Sequence, residues 1–380
     1  MNQGRYTPPP AQQVVYGQPV DTALGAELES RAARRVVFVT NTSLAGPGCL
    51  GESVRAALGS ACVGELTGVA AHSPRSDVIR LAAALRAHDA DLVVALGGGS
   101  VCDAVKAATL CLANDIEREQ DIDALAPGRD MRAPTLPWIA VPTTLSAGEF
   151  TAFAGVTDER VPRKEVLYQP GMAPPMVMLD AAMTTATPPR LWFGTGIRAV
   201  DHAVETYCSV NVTPMAEALA LHALSLLPRA LARVAAAPDD LAARLDCQIG
   251  AWLSVQGVAA GVDLGASHGI GHVLGGTAGM PHGETSCVML PHVLRYNHPV
   301  NGARQAALAA AMGDTTTPLA EQIAALVASL GLPGRLRDAE VAKSLLPTLA
   351  EESLLDLWVK TNPRPLDGAA AVLPLLEAAW

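Results

Sequence analysis

The seven cysteines stay apart: positions 49, 62, 102, 111, 208, 247 and 287 contain no Cys-x-x-Cys pair. An odd, scattered set offers neither a disulfide framework nor a zinc knuckle, so reduced thiols in a cytoplasmic protein are expected. A dense Lys/Arg block is also missing and the net charge is −10. Both argue against nucleic acid or an anionic membrane as the main partner, and neither argues against a small anionic ligand. No uninterrupted apolar run reaches the roughly 18 residues of a membrane span. Met1 to Gln13 is polar and proline-rich, without the charged stub and apolar core of a secretory leader. No internal repeat or low-complexity tract stands out. What is present is a hydrophobic half and a length of 380 residues, enough for two cores, since single cores seldom grow past about 250–300 residues.

The chain is organised around the stretch from Ala90 to Lys106. Leu92 to Leu96 is an unbroken apolar run; Gly97, Gly98 and Gly99 follow, and Ser100 opens a segment with apolar residues at helical spacing. This predicts a buried strand, a glycine turn and a helix. Glycines at such a junction allow close backbone approach, and the helix start faces an anion, with a phosphate as the natural guest. The spacing is neither Gly-x-Gly-x-x-Gly nor a P-loop. Asp103 and Lys106, in the first turns of the helix, read as well as a surface pair. Short apolar strands are also expected at 14–17, 35–41, 137–142 and 176–180, with amphipathic helices near 23–33 and 77–88. The strand at 35–41 ends in Asn41, placed to touch a ribose or to turn the chain. The strand at 137–142 runs into Thr143, Thr144 and Ser146, hydroxyl donors for a phosphate or an amide. Arg163 to Val166 reads as a loop. Strand signals then cease, and residues 189–380 are rich in alanine and leucine at helical spacing. The expectation is an α/β nucleotide-binding domain with a parallel sheet over 1–188 and an all-helical domain over 189–380.

Four histidines in the second half sit in segments that look chemically arranged. Arg198 and His202 are four residues apart on one helix face, as are His268 and His272, and His282 follows on a loop or helix start. Three imidazoles from separate elements suffice for a catalytic zinc or iron site with an open position. Spacing alone leaves open whether they hold a metal, move protons or bind a substrate anion.

Five motifs occur in order: Gly97-Gly-Gly-Ser-Val-Cys-Asp103-Ala-Val-Lys106, Pro142-Thr-Thr, His268-x3-His272, Pro281-His-Gly283 and Pro291-His-Val-Leu-Arg-Tyr-Asn297. Together they resemble the iron-containing alcohol dehydrogenase family, with its dehydroquinate-synthase-like fold, and more closely its maleylacetate reductase branch. The compact Thr143–Thr151 segment, Leu330–Asp338 and the ending at Trp380 carry the branch resemblance. The resemblance implies that Gly97, Gly98, Gly99 and Ser100 cradle the pyrophosphate of NADH or NADPH, with Asp103 nearby. It places Thr143, Thr144, Ser146 and Lys164 at the nicotinamide half. Asn41 falls where many relatives carry a ribose-binding aspartate, which makes NADPH acceptable beside NADH.

Metal-dependent relatives use an aspartate four residues before the first histidine, then histidines matching His202, His268 and His282. Here the aspartate position is Arg198. At an effective dielectric of about 20, unit like charges about 4 Å apart repel by roughly 4 kcal/mol, and a divalent ion doubles that. A metal-free site is therefore expected, with Asp201 pointing to another helix face. The counter-reading has Arg198 swing away, leaving three histidines and water for the metal. Arginine suits a carboxylate, so the expected partner is a small anionic substrate, and the expected reaction is reduction of maleylacetate to 3-oxoadipate within aromatic-compound degradation. Arg198 and Lys164 would hold negative charge, and His202, His268, His272 or His282 would give the proton. The alternative is an iron- or zinc-dependent alcohol or aldehyde dehydrogenase. A dehydroquinate-synthase-like lyase and a silent nucleotide-binding protein rank lower. The resemblance also implies a homodimer.

Overall fold

Strand and helix alternate through the first half of the chain, and the alternation builds a sheet in which every neighbour is parallel. In the computed structural model, which describes residues 6–160 and 163–380 (backbone only at Arg163 and Lys164), the chain divides into two compact units. The first, Pro10–Thr187, runs β1 (Gln13–Tyr16), α1 (Val20–Arg31), β2 (Val36–Thr40), α2 (Leu50–Leu58), β3 (Cys62–Leu66), α3 (Arg75–Ala87), β4 (Leu92–Gly97), α4 (Gly99–Ala113), β5 (Trp138–Pro142), β6 (Phe153–Asp158), β7 (Arg163–Tyr168) and β8 (Met176–Leu179). Six strands form one parallel sheet in the order β1-β8-β5-β4-β2-β3. Strands β2, β4, β5 and β8 are buried along their whole length, as their apolar runs require when helices cover both faces. The crossover after β2 leads outward to β3 and the one after β4 leads the other way to β5. A crevice therefore opens at the carboxyl ends of β2 and β4, the usual ligand position in an open α/β sheet.

Three strands, β3, β6 and β7, differ from the sequence expectation. Strand β3 went unanticipated because only Leu66 is buried; its other residues alternate between half-buried and exposed at the sheet edge. Arg163 to Val166 is a strand rather than a loop: β7 pairs antiparallel with β6, Phe153 opposite Tyr168 through Asp158 opposite Arg163. Charged residues on a small two-stranded hairpin do not produce a clear alternating pattern.

Nor are Asp103 and Lys106 a surface pair. The Asp103 carboxylate accepts from the Gly155 amide at 3.1 Å. Lys106 is wholly buried, and its Nζ donates to the carbonyls of Gly148 (2.6 Å) and Phe153 (2.8 Å), tying α4 to the segment leading into β6. Burial pushes the Lys106 amine below its ordinary range. Burial also raises the nearby Glu149 carboxyl to about 7, and its Oε2 finds no partner.

The second unit, Pro188–Trp380, contains α5 (Pro189–Cys208), α6 (Pro214–Ala236), α7 (Leu241–Ala259), α8 (Ala266–Ala278), α9 (His282–Met312), α10 (Leu319–Ser329), α11 (Leu346–Ser353), α12 (Leu357–Lys360) and α13 (Ala369–Ala379). No strand occurs here among the described residues. Helices α8, α9, α11 and α13 share one apolar cluster that includes Ile270, Met289, Leu349 and Leu376. Contrary to the sequence expectation, α6 is long and apolar enough by composition to cross a bilayer. Within the unit it packs along α5 and α7, and Leu224, Leu227 and Leu231 are fully buried.

A carboxyl whose pKa is raised on folding stabilises the fold below its unfolded pKa, and that contribution is lost as pH rises through the folded value. Glu149→Gln should abolish this dependence. Wild-type stability, measured by urea unfolding, should fall relative to the variant between about pH 4.5 and about pH 8. Parallel pH profiles would show that Glu149 ionises as readily folded as unfolded.

Candidate functional site

The first unit brings the expected phosphate turn together at the crevice. Gly98 caps α4 in an extended conformation and Gly99 begins the helix, leaving amides at the helix start directed outward. Both glycines sit in close packing. A Cβ on Gly98 would lie 2.9 Å from Thr144 Cγ2, and one on Gly99 would lie 3.2 Å from Ser146 Oγ. Thr144 and Ser146 thus line the turn, with hydroxyls 3.3 Å apart. The Thr143 amide donates to the Gly97 carbonyl at 3.0 Å, which fixes β5 beside the turn. Asn41 follows β2, and its buried Oδ1 has no partner. The Ser100 hydroxyl accepts from the His72 amide at 3.0 Å, which leaves its own proton to donate, and its carbonyl accepts from Ser73 Oγ at 2.8 Å. His72 and Ser73 both hold positive φ, a strained pair braced against the start of α4. Asp103 accepts from the Gly155 amide through one carboxylate oxygen, which ties α4 to β6 beside the turn. The Lys164 side chain lies outside the described residues; its backbone pairs with Thr157 in the hairpin.

The second unit gathers the histidines. Helix α5 carries Arg198, Asp201, His202 and Glu205 at positions i, i+3, i+4 and i+7, which form one stripe. That stripe corrects the expectation for Asp201: a residue three places on lies on the same helical face as Arg198, not a different one. All four are buried. Gly194 in α5 and Gly283 in α9 cross backbone to backbone, since a Cβ on Gly283 would lie 2.6 Å from the Gly194 carbonyl carbon. This contact brings the start of α9, and with it His282, against α5.

Glu205 closes the amino end of α8. Its two oxygens accept from the amides of Gly265 (3.0 Å), Ser267 (2.9 Å) and His268 (3.2 Å), and from His268 Nδ1 (2.8 Å). Because Glu205 can only accept, His268 carries its proton on Nδ1, and its buried Nε2 is left as an unpartnered lone pair. Asp201 Oδ2 accepts from Ser267 (2.8 Å) and Ser286 (2.6 Å) and lies 3.3 Å from His268 Nδ1. Its Oδ1 is buried without a partner, as is His202 Nδ1. The His202 and His268 rings stack 4.9 Å apart. Beyond them, His272 lies parallel to His282 at 5.7 Å, and its Nδ1 is 2.9 Å from Asp356 Oδ2. Trp358 touches both His268 and His272.

Electrostatics follow from this burial. Desolvation lowers the Arg198 guanidinium to about 10, against the pull of Asp201, Glu205 and Asp356. Arg198 Nη1 donates to Ser286 Oγ at 3.1 Å. Burial, with His268 and Arg198 nearby, holds His202 well below the usual imidazole value and therefore neutral. Desolvation works to raise Asp201, but the His268 N–H beside it, the Arg198 charge and the Ser286 hydroxyl outweigh it and keep the carboxyl ionised.

Asp201, Glu205 and His268 each offer a ligand atom within 4.8 Å of the others, all buried. Two carboxylates and an imidazole are a donor set for a divalent ion. The carboxylates outnumber the Arg198 charge by one, and Asp201 Oδ1, His268 Nε2 and His202 Nδ1 stand unpartnered beside them. The residues therefore fit a cation, with Arg198 weakening its hold. A second acidic group, Asp123, Asp158 and Glu165, already surrounds the buried Arg75. The sequence expectation set Asp201 aside and did not single out Glu205, although their helical spacing from Arg198 places both on its face. It also missed Ser267, Ser286 and Asp356, which only the fold brings near.

Comparison with known proteins agrees across the chain. Residues 10–181 match the family model "Iron-containing alcohol dehydrogenase", and residues 193–380 match "Fe-containing alcohol dehydrogenase family, C-terminal". Dehydrogenase FUM7 of Gibberella moniliformis is 33% identical, with 96% of each chain covered. The crystal structure of maleylacetate reductase from Rhizobium sp. strain MTP-10005 superposes with a TM-score of 0.84 at 28% identity, covering 100% of this chain and 99% of that one. An alcohol dehydrogenase from Oenococcus oeni superposes with a TM-score of 0.90 at 25% identity, covering 99% and 100%.

A methyl group on Gly98 would press on Thr144 and narrow the cradle. Gly98→Ala should raise the Kd for NADH by about tenfold or more in a fluorescence titration, with the far-UV circular dichroism unchanged. An unaltered Kd would remove this turn from the cofactor site.

Proposed function

The chain belongs to the iron-containing alcohol dehydrogenase family, and from that premise we propose that it interconverts a carbonyl compound and an alcohol by hydride transfer with NAD(P), using a divalent ion held by Asp201 and His268, with Glu205 orienting His268 from behind. As a member of that family the chain is an NAD(P)-dependent oxidoreductase. The metal-dependent form of the reaction rests on one observation: the buried Asp201–Glu205–His268 group, with unpartnered ligand-type atoms on Asp201, His202 and His268 beside it. A bound ion there would polarise the substrate oxygen as a Lewis acid. The protein's part is to hold and orient. Glu205 fixes the His268 tautomer, Ser267 and Ser286 fix Asp201, and neutral His202 keeps a lone pair available. On the other unit, Gly97, Gly98, Gly99, Thr143, Thr144, Ser146 and Asn41 would receive the dinucleotide.

A second reading, metal-free reduction of maleylacetate or a similar oxo acid, draws on the buried guanidinium of Arg198 and on the likeness to the Rhizobium reductase. It is weaker, because Arg198 Nη1 already donates to Ser286 Oγ, which in turn donates to Asp201, and the field of nearby carboxylates offsets its charge. A charge matched inside the protein is a poor anchor for a substrate carboxylate.

Metal content and turnover separate the two readings. The purified protein should carry a divalent ion, lose turnover on exhaustive chelation and regain it with iron or zinc. Asp201→Asn should lower occupancy at least about tenfold, and Arg198→Asp should raise affinity. Undiminished reduction of maleylacetate by metal-stripped enzyme would put the second reading in front.

A further inference from the structure

Helix α8 carries two histidines one turn apart, and each has its Nδ1 held by a carboxylate from a different element. His268 is held by Glu205 of α5, and His272 by Asp356, 84 residues further along the chain. In both, Nε2 is left without a hydrogen bond, but the surroundings differ. His268 is fully buried, whereas the His272 side chain is 37% exposed. The inner imidazole suits a buried ligand and the outer one suits exchange with a substrate.

We propose that Asp356 is a positioning residue that holds His272 in the Nδ1–H tautomer, so that Nε2 is the atom that takes the substrate's proton. The ring is fixed on three sides: Asp356 Oδ2 at Nδ1, Trp358 with ring centroids 5.0 Å apart, and His282 lying parallel at 5.7 Å. Nε2 is the remaining polar atom. Asp356 divides its oxygens between two tasks. Oδ1 accepts from the Trp358 amide at 2.8 Å and caps α12, while Oδ2 faces His272. An accept-only carboxylate at Nδ1 forces a neutral imidazole to present a lone pair at Nε2 and then stabilises the imidazolium.

For what His272 does, this rests on the dehydrogenase reading; for how Asp356 holds it, it does not. In the oxidative direction the alcohol O–H bond breaks and its proton goes to His272 Nε2. The carbinol C–H bond breaks with its electron pair, as hydride, going to NAD(P)+, and the C=O bond forms. His272 then releases the proton to solvent through its exposed edge.

The test uses Asp356→Asn, which can keep the cap on Trp358 while placing an NH2 group against His272. In wild-type enzyme, ¹⁵N shifts of the His272 ring should report Nδ1–H, and in the variant Nε2–H. With whichever alcohol or oxo acid the wild type turns over, kcat should fall about a hundredfold while the KM for the dinucleotide and the Tm stay near wild type. His272→Ala should show a similar loss, and the double variant should lose no more than His272→Ala alone. The proposal is overturned by an Nε2–H ring in the wild type, by an Asp356→Asn kcat within about twofold of wild type, or by a double variant whose loss is the product of the two single losses. If the wild type turns over neither alcohols, aldehydes nor oxo acids, the dehydrogenase reading fails, and the ring shifts alone decide the role of Asp356.

Discussion

The carboxylate of Glu205 is the constraint on which the histidine site depends. Helix α8 begins inside the unit, where its first amides have no water to meet, and an uncapped buried start would cost several unmade hydrogen bonds. Glu205 meets three of those amides and the His268 ring with two oxygens. An isolated buried carboxylate would be expensive; four donors and the positive end of the helix dipole offset that cost. The same contacts set the register of α8 against α5 and choose the tautomer of His268. Cap, register and ligand geometry are thus one interaction viewed from three sides.

Around it the buried charges are arranged as a short circuit within the protein. Arg198 reaches Asp201 through Ser286, and Ser267 reaches Asp201 from α8. An arginine at this position would be hard to bury alone. With Asp201 one turn on, it is matched. The substitution that looked from sequence like the removal of a metal site is accompanied by carboxylates on the same stripe, so the local charge remains able to accept a cation.

Much of this was legible in the chain. The run from Leu92 to Ser100 announced strand, turn and helix, and the structure adds only what surrounds the turn, namely Thr144 and Ser146 packed on Gly98 and Gly99. The all-helical second half followed from periodicity. Less legible were elements whose reason is non-local. The β6–β7 hairpin presents Arg, Lys and Glu, which read as loop until pairing is known. Asp356 meets His272 across 84 residues, a separation at which spacing carries no information. Asp201 is a different case: its position three residues after Arg198 placed it on the site's face, and helical geometry alone should have kept it there.

Trp358 stands between the two carboxylate-held histidines, edge-on to His268 at 5.7 Å and tilted on His272 at 5.0 Å. An indole in contact with an imidazole loses emission when that imidazole gains a proton or a bound ion, because both withdraw electron density from the excited ring. The architecture that orders the site therefore also equips it with its own optical gauge. With the other four tryptophans replaced by phenylalanine, emission from Trp358 should track the ionic state of the pair of histidines beside it.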